Sequence, residues 1–292
     1  MVVNSEYMPL KEVLLYKPGP EIGSIDNPGD VLHIRKINYR IIDEEYQQIL
    51  KLYKKFNIRS HLINIENQLE GGEFLFNLMY TRDLFFMTPK GAIMSSMAHK
   101  VRRDEVKYAE RTIRGIGIPV RMEAEGSGTF EGADALWVND KLVVIGVGNR
   151  TNFEGFLQVR DELKAQGIDC IYLPAPSGTQ HLLGALQFVD SDLVLVRVEL
   201  VDSKIIDFLK ENNINIVTIL EDEEVMQRQA MNIVAVAARE IIMPADCPKT
   251  KKIYQGCGIK VLAEVKISQL INGGGGLACA TAHISRGNNG RG

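Results

Sequence analysis

The sequence predicts an α/β fold in one domain. Segments that alternate like half-buried strands are interleaved with segments of helical periodicity along all 292 residues. Several strands come as hairpin pairs, which argues against a purely parallel, doubly wound sheet. No stretch of shifted composition divides the chain, and a hydrophobic content of 45% is enough for one large core.

In order, residues 11–17 read as a strand stopped by the turn Pro18-Gly19. Residues 43–56 place Tyr46, Ile49, Leu50, Tyr53 and Phe56 at spacings of three and four, one face of an amphipathic helix. Residues 61–65 alternate like a strand, and 76–87 read as a strand with Arg82-Asp83 embedded in it. A helix begins in the charged run 99–105. Strands over 135–138 and 141–146 form a hairpin around Asn139-Asp140, and Thr151-Asn152 is suited to cap a helix over 153–166. The pattern then repeats. Strands are expected over 170–173, 193–196, 215–220, 233–238, 240–243 and 260–262, and helices over 203–211 and 249–256, with a polar helix start at 221–224. Residues 286–292, rich in Gly, Asn and Arg, are expected to be a disordered tail beyond a domain of residues 1–285.

The balance of charge excludes some functions. A net charge of −3 and a sequence pI near 6.0 give no electrostatic footprint for nucleic acid or an acidic membrane. The longest apolar runs, such as 193–198 and 232–238, are too short to span a bilayer. With no basic, apolar leader at the N-terminus, a cytoplasmic protein is the simplest expectation. Cys170, Cys247, Cys257 and Cys279 lack CxxC spacing, which argues against a zinc site and a disulfide framework. No GxGxxG or Walker sequence follows a strand.

The most unusual stretch is Gly273-Gly274-Gly275-Gly276-Leu277-Ala278-Cys279. Four glycines free the backbone for positive φ and for close approach to a ligand, and they lead to a lone thiol. The alternative is a flexible linker with an inert, buried cysteine. Asp83, among aromatic and apolar neighbours, is placed to grip a cation or to form an ion pair with Arg82. Taken singly, His181 reads as a loop or core histidine, Glu131 as a turn cap and Arg150 as a surface ion-pair partner.

Taken in order, these motifs resemble a known family. Asn77 to Asp83 as N-x-x-x-T-R-D, Phe130-Glu131-Gly132-Ala133-Asp134, Asn149-Arg150-Thr151-Asn152, His181, and the glycine run with Cys279 follow the order of arginine deiminases. These are guanidino-group-modifying enzymes of the pentein superfamily, with dimethylarginine dimethylaminohydrolases and amidinotransferases. The resemblance implies a five-bladed α/β propeller of ββαβ repeats around a central channel, although no five-fold repeat is visible in the sequence. It implies a reaction without cofactor or metal, on a small guanidino or ureido substrate. Cys279 would be the nucleophile, His181 the acid and base, and Glu131 its partner. Asp83 would anchor the guanidinium, with Asn77 and Asp134 also at the substrate. Arg102 and Arg150 fall where the family binds the substrate's carboxylate. A homo-oligomer is compatible with the sequence.

Two positions depart from arginine deiminases. Leu183 stands where they carry a second carboxylate two residues after the histidine, and Ala278 replaces a bulky basic residue found in many relatives. Leu183 favours a substituted guanidine or a neutral ureido group over free arginine, and Ala278 implies a roomier pocket or a different substrate head. Hydrolysis is the leading expectation and amidino transfer the alternative. A non-catalytic binding role, as in a ribosome-associated pentein, would need no Cys, His and Glu set.

Overall fold

The computed structural model describes residues 3–65 and 75–287. Its β-structure falls into five three-stranded sheets. Four follow one plan along the chain. A hairpin, β3 (Phe85–Thr88) with β4 (Gly91–Met94), is followed by helix α2 (Glu105–Gly115) and by β5 (Val120–Glu123), parallel to β4. The next units are β6 (Ala135–Asn139), β7 (Leu142–Val147), α3 (Phe153–Ala165) and β8 (Asp169–Pro174), then β9 (Leu186–Asp190), β10 (Leu193–Arg197), α4 (Ser203–Glu211) and β11 (Asn215–Ile219). After the short helix α5 (Glu223–Arg228) come β12 (Val234–Ala237), β13 (Glu240–Pro244), α6 (Pro248–Gly256) and β14 (Lys260–Val265).

The fifth unit joins the two ends of the chain. Strand β1 (Leu10–Leu15) pairs antiparallel with β15 (Ala282–Arg286), and after α1 (Tyr39–Lys55) it pairs parallel with β2 (Arg59–Leu62). Each sheet is therefore an antiparallel pair plus a parallel strand, and the repeat is ββαβ. The molecule is a five-bladed propeller closed by its own last strand, as the resemblance implies. Closure gives β1 partners on both sides, which an edge strand lacks.

Several expectations are corrected. Helix α1 begins at Tyr39 because Asn38 caps it, its side chain accepting from the Arg40 and Ile41 amides at 3.0 and 3.4 Å. The strand expected over 76–87 is only β3. Thr81–Asp83 form a single 3-10 turn, which sends three adjacent buried polar side chains in three directions where a strand offers two faces. Strands β9 and β15 were not expected. β15 alternates over only four residues, Ala282 to Ser285, too short a signal to read as a strand, and it buries the polar His283 and Arg286. Arg286 is a buried strand residue and Gly287 N–H donates to Pro9 O at 2.9 Å, so the domain runs past residue 285. The rest of the expected tail, 288–292, lies outside the described residues. No helix among the described residues is long and apolar enough to cross a membrane.

Candidate active site

The glycine run follows helix α7 (Ser268–Asn272) and forms one wall of a cavity of about 410 Å³. Only Gly274 there has a positive φ (+97°). The other three serve close approach. A Cβ on Gly273 would collide with the Tyr80 hydroxyl and the Met79 side chain. A Cβ on Gly275 would lie 2.5 Å from the Tyr80 ring, and one on Gly276 would lie 2.5 Å from Asn232. Tyr80, buried, donates its hydroxyl to Leu270 O at 2.7 Å. The glycines thus let the backbone press against Tyr80 and Asn232, and this seats Cys279.

The Thr81-Arg82-Asp83 turn is bonded to the same segment. Thr81 Oγ1 donates within reach of Leu14 O (2.8 Å) and Ala280 O (3.1 Å), and Arg82 N–H donates to Cys279 O at 3.0 Å. The Arg82 guanidinium turns away to Glu6 at 2.9 Å, so the expected Arg82–Asp83 pair does not form. Asp83 instead faces the cavity. Its Oδ2 accepts from Arg102 Nη1 at 2.6 Å, while its Oδ1 is buried without a hydrogen-bond partner.

The third wall carries His181. Asp134 Oδ1 accepts from Leu182 N–H at 3.0 Å, and its Oδ2 from the Thr151 hydroxyl at 2.7 Å. Thr151 Oγ1 also accepts from Glu131 N–H at 3.1 Å. Asp134 therefore pins the histidine's loop to the β6–β8 blade and is absent from the cavity lining. Burial raises its pKa to about 6 against the pull of His181. His181 Nε2 lies 2.6 Å from Glu131 Oε2, and its Nδ1 lies 3.8 Å from Asp83 Oδ1. Burial opposes the charged imidazole, but Asp83, Glu131 and Asp134 together lift it to about 9. Burial likewise opposes the Glu131 carboxylate, yet the hydrogen bond and charge of His181, with Arg102 and Arg150, hold it down at about 2. The pair rests as imidazolium and carboxylate.

Cys279 lies in the same cavity. Burial and the nearby Asp83 charge push its thiol up to about 11. One contact works the other way and was not legible in the sequence. Asn232, 47 residues upstream, donates from Nδ2 to Sγ at 3.3 Å. Its Oδ1 accepts from the amides of Ala278 (2.7 Å) and Cys279 (3.3 Å).

Arg102 is the main correction among the site residues. Its Nε donates to Glu105 at 2.9 Å and its Nη1 to Asp83, and its Nη2 lies 3.2 and 3.4 Å from the carbonyls of Asn77 and Tyr80. Four of its five N–H donors are directed inward, so it orients Asp83 and is not free for a carboxylate. Asn77 lines the cavity but is spent on the scaffold, bonding Glu105 through its amide and Val31 O through Nδ2. Arg150 Nη2 donates to Gln180 at 2.6 Å, and Nη1, 3.7 Å from Glu131, is buried without a hydrogen bond.

Asp83, Glu131 and His181 offer oxygen and nitrogen atoms within 4.8 Å of one another, a spacing that would also suit a metal ion. A protonated imidazole is no metal ligand. The free Asp83 oxygen beside it suits an N–H donor that carries positive charge.

The arginine deiminase family model matches residues 73–208, which include Asn77, Asp83, Glu131, Arg150 and His181. Among solved structures, dimethylarginine dimethylaminohydrolase of Pseudomonas aeruginosa superposes with a TM-score of 0.75 at 21% identity, covering 94% of this chain and 100% of that one.

The chain has the pentein fold.

Other penteins of similar fold are SxtG, an amidinotransferase from Microseira wollei (TM-score 0.78, 14% identity, 99% and 98% covered), and the N-terminal domain of the arginine dihydrolase ArgZ (0.79, 18%, 94% and 98%). In sequence, the chain is 21% identical to the uncharacterized protein YkgA of Bacillus subtilis (strain 168) over 98% of this chain and 96% of that protein. It is 24% identical to arginine deiminase of Borrelia duttonii (strain Ly) over 81% of this chain and 67% of that enzyme.

Proposed function

We propose that this pentein hydrolyses a C–N bond of a guanidino or ureido compound through a covalent intermediate on Cys279. The observation that carries the reading is Asp83 Oδ1, a buried carboxylate oxygen without a partner, in the cavity that also holds Cys279 and His181. A guanidinium N–H would satisfy it with a charge-assisted bond. The bound cation would also offset the Asp83 charge that raises the Cys279 thiol, so substrate itself would favour the thiolate.

Once the thiol has lost its proton to water, the Cys279 thiolate attacks the central carbon, forming the S–C bond. His181, protonated at rest, gives its proton to the departing nitrogen as the C–N bond breaks, leaving a thiouronium. His181 next takes a proton from water, the hydroxide adds to the same carbon, and the C–S bond breaks to return the thiolate. Glu131 holds the imidazole throughout. Arginine deiminase and dimethylargininase types share these steps and differ in the group that leaves. An apolar Leu183 against the cavity favours a substituted or neutral head group.

The test is a mass-spectrometric screen of wild type and Cys279→Ala with arginine, citrulline, agmatine, methylated arginines and guanidino acids. Loss of ammonia or an amine from one compound, with wild type only, supports the reading. Amidino transfer would instead leave a protein-bound amidine that persists until an acceptor amine is added. Silence with and without acceptors counts against both.

A further inference from the structure

We infer that the substrate of this site is a guanidine borne on an apolar body without a carboxylate, and not a free amino acid. This rests on the guanidino reading above and concerns the other end of the molecule.

The first argument is the supply of cations. Among the described residues that line the cavity there is no lysine, and the two arginines are Arg102 and Arg197. Arg102 is held between Asp83 and Glu105. Arg197 is bonded through Nε and Nη2 to both oxygens of Glu221, at 2.7 and 2.5 Å, and through Nη1 to Gly184 O at 3.2 Å. Arg150 is not in the lining and is turned toward Glu131 and Gln180. The other cations near it, His181 at 2.6 Å and Arg150 Nη1 at 3.7 Å from Glu131, also sit beside an acid, so a carboxylate entering this cavity would lose water without meeting an uncompensated positive charge, which is costly.

The second argument is the mouth. Leu32, Ile34, Leu200 and Met226 line the cavity, and Leu220 adjoins the lining residue Glu221. Ile34, Leu220 and Met226, at 68%, 60% and 58% exposure, are the three most exposed large hydrophobic residues among those described. Exposed apolar side chains gathered at one opening mark a surface that binds something apolar. Because this surface is continuous with the cavity of Cys279, the body of the substrate is the occupant that fits it.

The experiment measures protection of Cys279 from alkylation by a haloacetamidine, read by peptide mass spectrometry, so that binding is scored without turnover. Competitors are ethyl-, butyl-, hexyl- and octylguanidine, with arginine and 6-guanidinohexanoate. Protection is expected to tighten about two- to fourfold per added methylene along the alkyl series. Hexylguanidine should protect at least tenfold better than 6-guanidinohexanoate, its carboxylate counterpart. Ile34→Ser and Met226→Ser should each flatten the dependence on chain length. Equal or better protection by the carboxylate compounds, or a flat alkyl series, overturns this inference and leaves the guanidino reading standing. If the haloacetamidine labels Cys170, Cys247 or Cys257 as readily as Cys279, and no guanidine protects, the guanidino reading falls and this inference with it.

Discussion

At the scale of single residues, the site is a set of opposed charges in a buried setting. The Glu105, Arg102, Asp83, His181 and Glu131 side chains form one run in which neighbouring members carry opposite charge, and it leaves one oxygen of Asp83 for a ligand. Cys279 rests as the thiol, because burial and Asp83 push it up to about 11, while His181 keeps its proton below about 9. Alkylation of Cys279 by a neutral iodoacetamide is therefore expected to be slow at pH 7 and to climb with pH through 9 without a plateau. A cationic haloacetamidine should label faster near neutrality. Asn232→Ala removes the amide donor to the sulfur, a bond worth about 1.5–3 kcal/mol when the acceptor is charged, so labelling should slow about tenfold or more. An unchanged rate in that variant, with the fold intact by circular dichroism, would mean that Asn232 only braces the loop.

At the scale of elements, short irregular segments do the positioning, and regular ones supply rigidity. The 3-10 turn Thr81–Asp83, the loop around His181 and the glycine run after α7 each present one functional side chain, and each is bonded to a neighbouring blade. Glycines in the run are thus packing devices more than hinges. Gly275→Ala and Gly276→Ala must displace the Tyr80 ring or Asn232, and each should cost about 1–3 kcal/mol or more in urea denaturation. Gly256→Ala is the control. It lies in α6 with open space around its Cβ direction, so it should be neutral or stabilise by up to about 1 kcal/mol. Equal losses at all three positions would contradict this account.

At the scale of the whole molecule, the β15–β1 pairing closes the ring and brings distant charges together inside it. Glu6, Arg82, His283 and Arg286 are all buried, with one carboxylate among two guanidiniums. Burial, Arg286 and Arg82 hold the His283 imidazole well below its usual range, so it stays neutral there. Removing the only acid would leave the arginines uncompensated. Glu6→Gln should therefore lower stability by about 3–5 kcal/mol, read as a shift of the denaturation midpoint. A loss under 1 kcal/mol would show that backbone carbonyls, such as those that Arg286 reaches at Met8 and Ala235, carry the cluster.

The sequence by itself determined the α/β class, the helices α3, α4 and α6 and the hairpins β6–β7 and β12–β13, and its ordered motifs single out Asp83, His181 and Cys279, which line one cavity. Periodicity and capping act over a few residues, and the ordered motifs from Asn77 to Cys279 survive as a linear string. Only the tertiary structure decided how those residues are shared out. Arg102 is committed to Asp83 and Glu105, Asp134 to Thr151 and Leu182, and Asn232 comes to Cys279 from another blade. Strand β15 was invisible because its charged residues are matched by partners far away in the chain, near its other end. Hydrogen bonds and charge pairs between blades depend on distances that ring closure sets, and no local pattern records them.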